Sequence, residues 1–294
     1  MKIIDRIELF VNMFEELKDF DKDNIKDYLS LKRYKNNETK LILEEYLTLI
    51  ILYRFSGYKN LKRFWYNEKY FSNNCWPNMP SYNRFIVWIN RLEKLLKNIL
   101  DKYLKNLHQE LGMVDSTKIE TTTTHWRGKI HKDSRTGDSS TGEFKGFKLH
   151  ALINDKNQLC SYSITPGNIH DLTAVKEEFF FKGHTGKVLA DSGYIGKDFY
   201  YKLMEQNLTL IAKPNVKMME NNFFGFGYLP AWEINFKKLY KKRTKIERFF
   251  SYLKENLNLK INKLHSSKAL YTHVYSSLLL WSFFTRLKKD NIIA

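Results

Sequence analysis

The sequence predicts a mixed α/β protein: a twisted sheet with helices packed on it, behind an all-helical N-terminal region. Two observations carry this. Up to about residue 108 the apolar residues recur on a helical period, whereas from about 110 they gather in short runs, two of which end in an acid. In addition, FKGFKLHALIN (144–154) alternates from Phe147 onward, with Phe147, Leu149, Ala151 and Ile153 on one face and Lys148 and His150 on the other. After the turn residues DKN comes QLCSYSIT (158–165), so the pair reads as an antiparallel hairpin.

In chain order, ETKLILEEYLTLIILYRF (38–55) is helical, and YKNLKRFWY (58–66) is basic and aromatic. Gly57, Pro77 and Pro80 punctuate the region. FIVWINRLEKLLKNILDKYL (85–104) reads as one further helix. Residues 1–108 thus form a helical N-terminal domain that suits either a helix-turn-helix-like DNA module or a packing domain, the former being favoured. The second domain spans 109–294. LGMVDSTK (111–118) is a buried strand ending in a polar tip, and the hairpin follows. LTAVKEEFFF (172–181) is helix, KVLADSGY (187–194) a short strand ending in an acid, KDFYYKLMEQN (197–207) helix and LTLIAKP (208–214) strand. Residues 215–235, with Gly225, Gly227 and Pro230, read as a loop or insertion. A helix containing Glu247 and a last helix over 266–287 complete the order β–β–β–α–β–α–β–α.

The chain carries a formal net charge of +17, unevenly spread. Residues 1–108 hold 20 basic and 14 acidic side chains, 109–215 hold 14 and 13, and 216–294 hold 15 and 5. A nearly neutral middle between basic ends suits a polyanion gripped around a site that must keep its own negative charge. The two cysteines, Cys75 and Cys160, stand far apart and outside any CxxC spacing, which argues against a zinc or disulfide framework and fits a reducing compartment. The apolar runs LTLIIL and LLLW are too short to cross a bilayer, and the N-terminal residues lack a signal-peptide core. The expectation is a cytoplasmic protein with no membrane partner.

One stretch concentrates the chemistry. YKKRTKIERFFSYLK (240–254) sets Glu247 as the single acid among Lys and Arg. At about 100° per residue, Tyr240, Arg243, Glu247 and Lys254 fall within roughly 60° of one another, beside an apolar face of Ile246, Phe249, Phe250 and Leu253. Alone, this is a solvated helix with an Arg–Glu pair. It gains meaning from two strand-end acids, Asp115 in VDST and Asp191 in ADSGY. Either Asp alone is a turn or helix cap. Three converging carboxylates repel one another unless a divalent cation joins them, and hard oxygen ligands suit Mg²⁺. Two such ions stabilise both the attacking and the leaving oxygen of an in-line phosphoryl displacement. The basic neighbours Arg243 and Lys254 then hold DNA phosphates beside the acids.

VDST, ADSGY and YxxRxxxExxxxxxK, standing at 114–117, 190–194 and 240–254, resemble the DDE transposases of bacterial insertion sequences. With KLH at 148–150 and PGNIHD at 166–171, the nearest likeness is to insertion sequence family 982. The resemblance implies an RNase-H-like (retroviral-integrase-like) catalytic domain, with Asp115, Asp191 and Glu247 as catalytic, metal-binding triad. It implies two Mg²⁺ ions, with Mn²⁺ as a substitute, and Tyr240, Arg243 and Lys254 on DNA. It also implies binding of terminal inverted repeats, strand cleavage, 3′-hydroxyl strand transfer, and a homodimer or larger assembly on DNA. The protein would then be bacterial and nucleoid-associated.

Two rivals stay open at this point: a stand-alone RNase-H-like nuclease or resolvase, and an inactive DNA-binding derivative. A Ser or Tyr recombinase would need an attacking hydroxyl among Arg and His, a pattern not found here. His150 reads as a satisfied sheet-surface histidine or as a phosphate or metal-site contact. Asp171, with Asn168 and His170, reads as the cap of the helix at 172 or as an active-site neighbour. Trp126 and Arg127 are candidates for a flipped base or hairpin end, and nothing is assigned within 118–143.

Overall fold

The computed structural model describes residues 41–72, 75–105, 107, 110–121, 133–139, 142–176, 180–212, 238–260 and 266–289. Among these residues the first elements are the helices α1 (Leu43–Phe55), α2 (Leu61–Phe71), α3 (Tyr82–Arg91) and α4 (Glu93–Leu104). Then follow β1 (Leu111–Glu120), β2 (Arg135–Ser139), β3 (Gly142–Asn154), β4 (Leu159–Pro166), α5 (Asp171–Val175), β5 (Gly186–Ala190), α6 (Lys197–Glu205), β6 (Leu208–Ala212), α7 (Thr244–Glu255) and α8 (Ser267–Lys289). The six strands form one sheet in the order β2–β3–β1–β5–β6, with β4 also paired to β3. β3 lies antiparallel to β1, β2 and β4, whereas β5 is parallel to both β1 and β6. The expected mixed sheet with flanking helices is therefore present.

Four elements depart from the sequence reading. The helix expected over 85–104 is two helices that break at Leu92. Leu92 is itself buried, so the apolar period runs through the bend without marking it. β2 is an additional strand: RTGDS has no apolar alternation and is a strand only because it pairs with Gly142–Gly146. The helix expected over 172–181 is described only as Asp171–Val175. KVLADSGY is a strand only to Ala190, after which Ser192–Tyr194 make a 3₁₀ turn capped by Asp191. The 215–235 segment, Trp126 and Arg127 lie outside the described residues.

Successive strand residues face opposite sides, and here both sides are covered. Met113, Leu149, Leu189 and Ile211 face a core shared with Ile246, Phe249 and Leu253 of α7 and with α8. Val114, Leu152, Val188, Ala190 and Leu210 face a second core built with α5 and α6. The first core continues without interruption into α1, α3 and α4, which pack on α8. Buried Arg54 of α1 donates its Nε to Ser276 of α8 at 3.0 Å, a polar tie across that contact. Cys75 and Cys160 are both free thiols. No helix among the described residues is long and apolar enough to cross a membrane.

Gly186 sets the start of β5 beside β1. Its φ is +90°, and a Cβ there would stand 2.2 Å from the Glu110 carbonyl oxygen, which accepts from Lys187 N at 2.8 Å. Gly186→Ala must either strain the backbone, at roughly 1–3 kcal/mol, or push the two strands apart. The expected result is a melting temperature several degrees lower; an unchanged melt would mean that β5 can shift without cost.

Candidate active site

The register of two parallel strands places the first two acids. β1 and β5 pair as Leu111↔Lys187, Gly112↔Val188 and Met113↔Leu189. Asp115 and Asp191 each lie two residues beyond that last pair, on the same side of the sheet as Met113 and Leu189. Neighbouring strands run about 4.8 Å apart, so the carboxylates start side by side. Asp191 ends its strand as expected. Asp115 does not: β1 runs on to Glu120, held by β3 through Asp115↔Ala151. What ends at Asp115 is the partnership with β5, and this opens the sheet there.

The third acid comes from above that face. Ile246, Phe249, Phe250 and Leu253 sink α7 into the first core, which leaves Glu247 on the rim. The chain enters α7 through a 3₁₀ turn, Lys241–Arg243. From this turn Arg243 reaches all three acids. Its Nη2 donates to Asp115 Oδ2 at 2.8 Å and stands 3.9 Å from Asp191 Oδ2, and its Nη1 donates to Glu247 Oε1 at 3.3 Å. Tyr240 stands immediately before this turn, and its hydroxyl donates to the Ala190 carbonyl at 3.1 Å, tying it to the residue before Asp191. Lys254 is about 10 Å further along the helix at 1.5 Å per residue. It stands near Lys118 and Glu120 at the far end of β1, where burial, and then the charge of Lys118, lower its pKa. The structure thus gathers Asp115, Asp191, Glu247, Arg243 and Tyr240, and sets Lys254 two turns away.

Electrostatics distinguish the acids. Asp115 has a side chain only 19% exposed, against 45% for Asp191 and 56% for Glu247. Burial pushes the Asp115 carboxyl up to about 6, although Arg243 and the Ser116 N–H act to lower it. Burial works against the charge of Arg243, but Asp115, Tyr240, Asp191 and Glu247 more than offset this and its pKa ends raised. The guanidinium is the cation standing among three hard carboxylate oxygen donors. Donors of this type fit a divalent cation. Among the described residues, no three His, Cys, Asp or Glu side chains sit close enough to hold one metal in the present arrangement, in which Arg243 lies between the acids.

Behind Asp115 lies a second polar group that the sequence reading placed differently. His150 is fully buried, not on a sheet surface, because β3 is covered on both faces. Its Nε2 meets Thr165 Oγ1 at 2.9 Å, and burial lowers its pKa to about 4. His170, not Asp171, takes the cap position of α5. Asp171 instead pairs with Lys148 Nζ at 3.1 Å and lies 3.9 Å from His150 Nδ1. The spacing that could have revealed this is KLH, which puts Lys148 and His150 on one face of β3 toward PGNIHD.

The sequence from β1 to α7 also carries a family signature. A sequence model of the family described as "Transposase DDE domain" matches residues 105–267, a span containing Asp115, Asp191 and Glu247. This chain belongs to the transposase DDE domain family. Such domains use divalent metals, which agrees with the donor chemistry above. A comparison with curated protein sequences finds no match. Among solved structures, the fold is similar to the piggyBac transposase in a cryo-EM synaptic complex with hairpin DNA. That match has a TM-score of 0.56 at 9% identity and covers 98% of this chain and 75% of the other. The likeness is one of fold, in keeping with membership of the transposase DDE domain family.

Proposed function

We propose that this DDE transposase moves an insertion sequence of the family 982 type, binding its terminal inverted repeats, cleaving the DNA strand there and joining the freed 3′-hydroxyl to target DNA. The observation that carries the reading is the convergence of Asp115, Asp191 and Glu247, from two parallel strands and one helix, on a single guanidinium. Asp115, Asp191 and Glu247 would hold the divalent cations, Mg²⁺ or in its place Mn²⁺. Bound there, two such ions supply Lewis-acid charge for the nucleophile and the leaving oxygen.

The chain's own residues do the rest. Asp115 and Asp191 are fixed at one level by strand pairing, so two donors are positioned before any ligand arrives. Buried Ile246 and Phe249 fix the height of Glu247 above them. Arg243, displaced from the acids, has a planar fork suited to a phosphate. Tyr240 holds the end of β5 through the Ala190 carbonyl, and Lys254 offers a second phosphate contact two turns away. The N-terminal region, residues 1–108, is assigned to binding the element's end, and a dimer or larger assembly to bringing two ends together. That the piggyBac neighbour was solved as a synaptic complex with hairpin DNA supports DNA as partner.

The test uses a labelled duplex carrying the element's end, a target plasmid, Mg²⁺ and then EDTA. Metal-dependent cleavage and joining are expected, both lost in Glu247→Gln while end binding survives. Cleavage without joining would instead make the chain a nuclease or resolvase, and binding with neither activity would make it an inactive derivative.

A further inference from the structure

We propose that the exposed face of α2 is a stacking platform for an unpaired DNA strand leading away from the acid cluster. The inference rests on the transposase reading for the identity of the nucleic acid, but the surface itself is read from α2. Tyr66, Tyr70 and Phe71 stand 53%, 57% and 68% exposed. Their rings lie together, with centroids 4.7 Å apart for Tyr66–Tyr70 and 6.0 Å for Tyr66–Phe71. Neighbouring large rings left in water mark a binding surface more often than a solvent face.

The charges around them select the partner. Lys59, Lys62 and Arg63 are exposed on the same helix and its entry, and Lys69 lies over the Tyr70 ring at 5.5 Å. The one acid of α2, Glu68, is turned to Trp76 Nε1 at 3.0 Å. Between the rings and the cations runs a shallow groove of about 500 Å³, lined by Lys62, Arg63, Tyr66 and Phe71 among others. Cations that follow a phosphate backbone beside rings that stack on bases are the chemistry of single-strand binding. A duplex hides its base faces, which are the surfaces on which aromatic rings stack.

The place of α2 agrees with this. Asn258, three residues beyond α7, donates its Nδ2 to the Tyr58 carbonyl at 3.3 Å, just before α2 begins. From Glu247 to the end of α7 is about 12 Å at 1.5 Å per residue, with Lys254 on the way. A strand leaving the acids along α7 reaches the entry of α2 within roughly 20 Å.

The experiment measures fluorescence anisotropy of the full chain with a 20-nucleotide oligo(dT) and with a 20-base-pair duplex carrying the element's end. It compares wild type, Y66A/Y70A/F71A, Y66F/Y70F and K62A/R63A, each checked by circular dichroism and melting. The ring-to-Ala variant is expected to lose at least about tenfold in oligo(dT) affinity, with duplex affinity changed less than about threefold. Y66F/Y70F keeps the rings and should bind as wild type. K62A/R63A should lower the slope of log affinity against log salt for the single strand by about 1.4. Unchanged oligo(dT) binding in the ring variant, or an equal loss on the duplex, overturns the proposal. So does a loss of self-association in sedimentation with DNA binding intact, which would give the face to a second copy of the chain. Ring-dependent oligo(dT) binding in a protein that never cleaves the end duplex would uphold the platform and sink the transposition reading instead.

Discussion

Asp115→Asn is expected to lose strand cleavage by at least about 10³-fold, some 4 kcal/mol of barrier, while the metal-free protein melts no lower than wild type at pH 7. The two halves of this result share one cause. Asp115 is the most enclosed of the three acids, and burial holds its carboxyl at about 6 against an ordinary 3.8. At neutral pH the folded chain therefore carries a charge it would rather neutralise, at a cost on the order of 3 kcal/mol. Asparagine removes that charge and keeps the shape, and Arg243 keeps Glu247 and Asp191 as partners. The sign with pH follows. A group that binds its proton more tightly when folded makes the fold more stable as pH falls from about 6 toward 4, and its penalty is fully present above 6. The wild type should accordingly close the gap in melting temperature to Asp115→Asn over that window. Cleavage within tenfold of wild type, or a variant clearly less stable than wild type at pH 7, would remove Asp115 from the role assigned to it.

Asp191 and Glu247 are legible in the sequence because each is announced by local pattern. KVLA before Asp191 is an apolar run that a parallel strand requires, and Ile246, Phe249, Phe250 and Leu253 turn Glu247 to the rim by helical period alone. The rest depends on partners distant in the chain. That Arg243 grips Asp115 is a contact across 128 residues, invisible to any spacing argument. The same stripe that pairs Arg243 with Glu247 places Lys254 on the same side of the helix, and only packing along β1 shows how far from the acids it stands. β2 is polar and becomes a strand by borrowing the edge of β3. His150 alternates as an outward residue should, yet is buried, because the sheet is covered on both faces. Alternation reports which residues share a face; it cannot report whether that face meets water.

Arg243→Gln should separate the two cations that compete for these acids. Without metal, the variant leaves three carboxylates facing one another with no positive charge between them. Asp115 and Arg243 are 19% and 17% exposed, so breaking their pair costs more than a surface ion pair, whereas the more open Asp191 and Glu247 are screened by water. A loss of about 2 kcal/mol is expected, read as a melting temperature roughly 4–8 °C lower. Millimolar Mg²⁺ should then raise the melting temperature of the variant more than that of wild type, because a ligand stabilises the fold by its free energy of binding and the ion no longer displaces a guanidinium. Arg243→Lys should fall between the two, since an ammonium carries the charge but lacks the fork that reaches Asp115 and Glu247 together. An equal response to Mg²⁺ in wild type and variant would mean that Arg243 does not stand where the cation binds. A larger response in the variant would mean that metal loading frees the Arg243 fork, beside the acids, at the moment a phosphate arrives to be held.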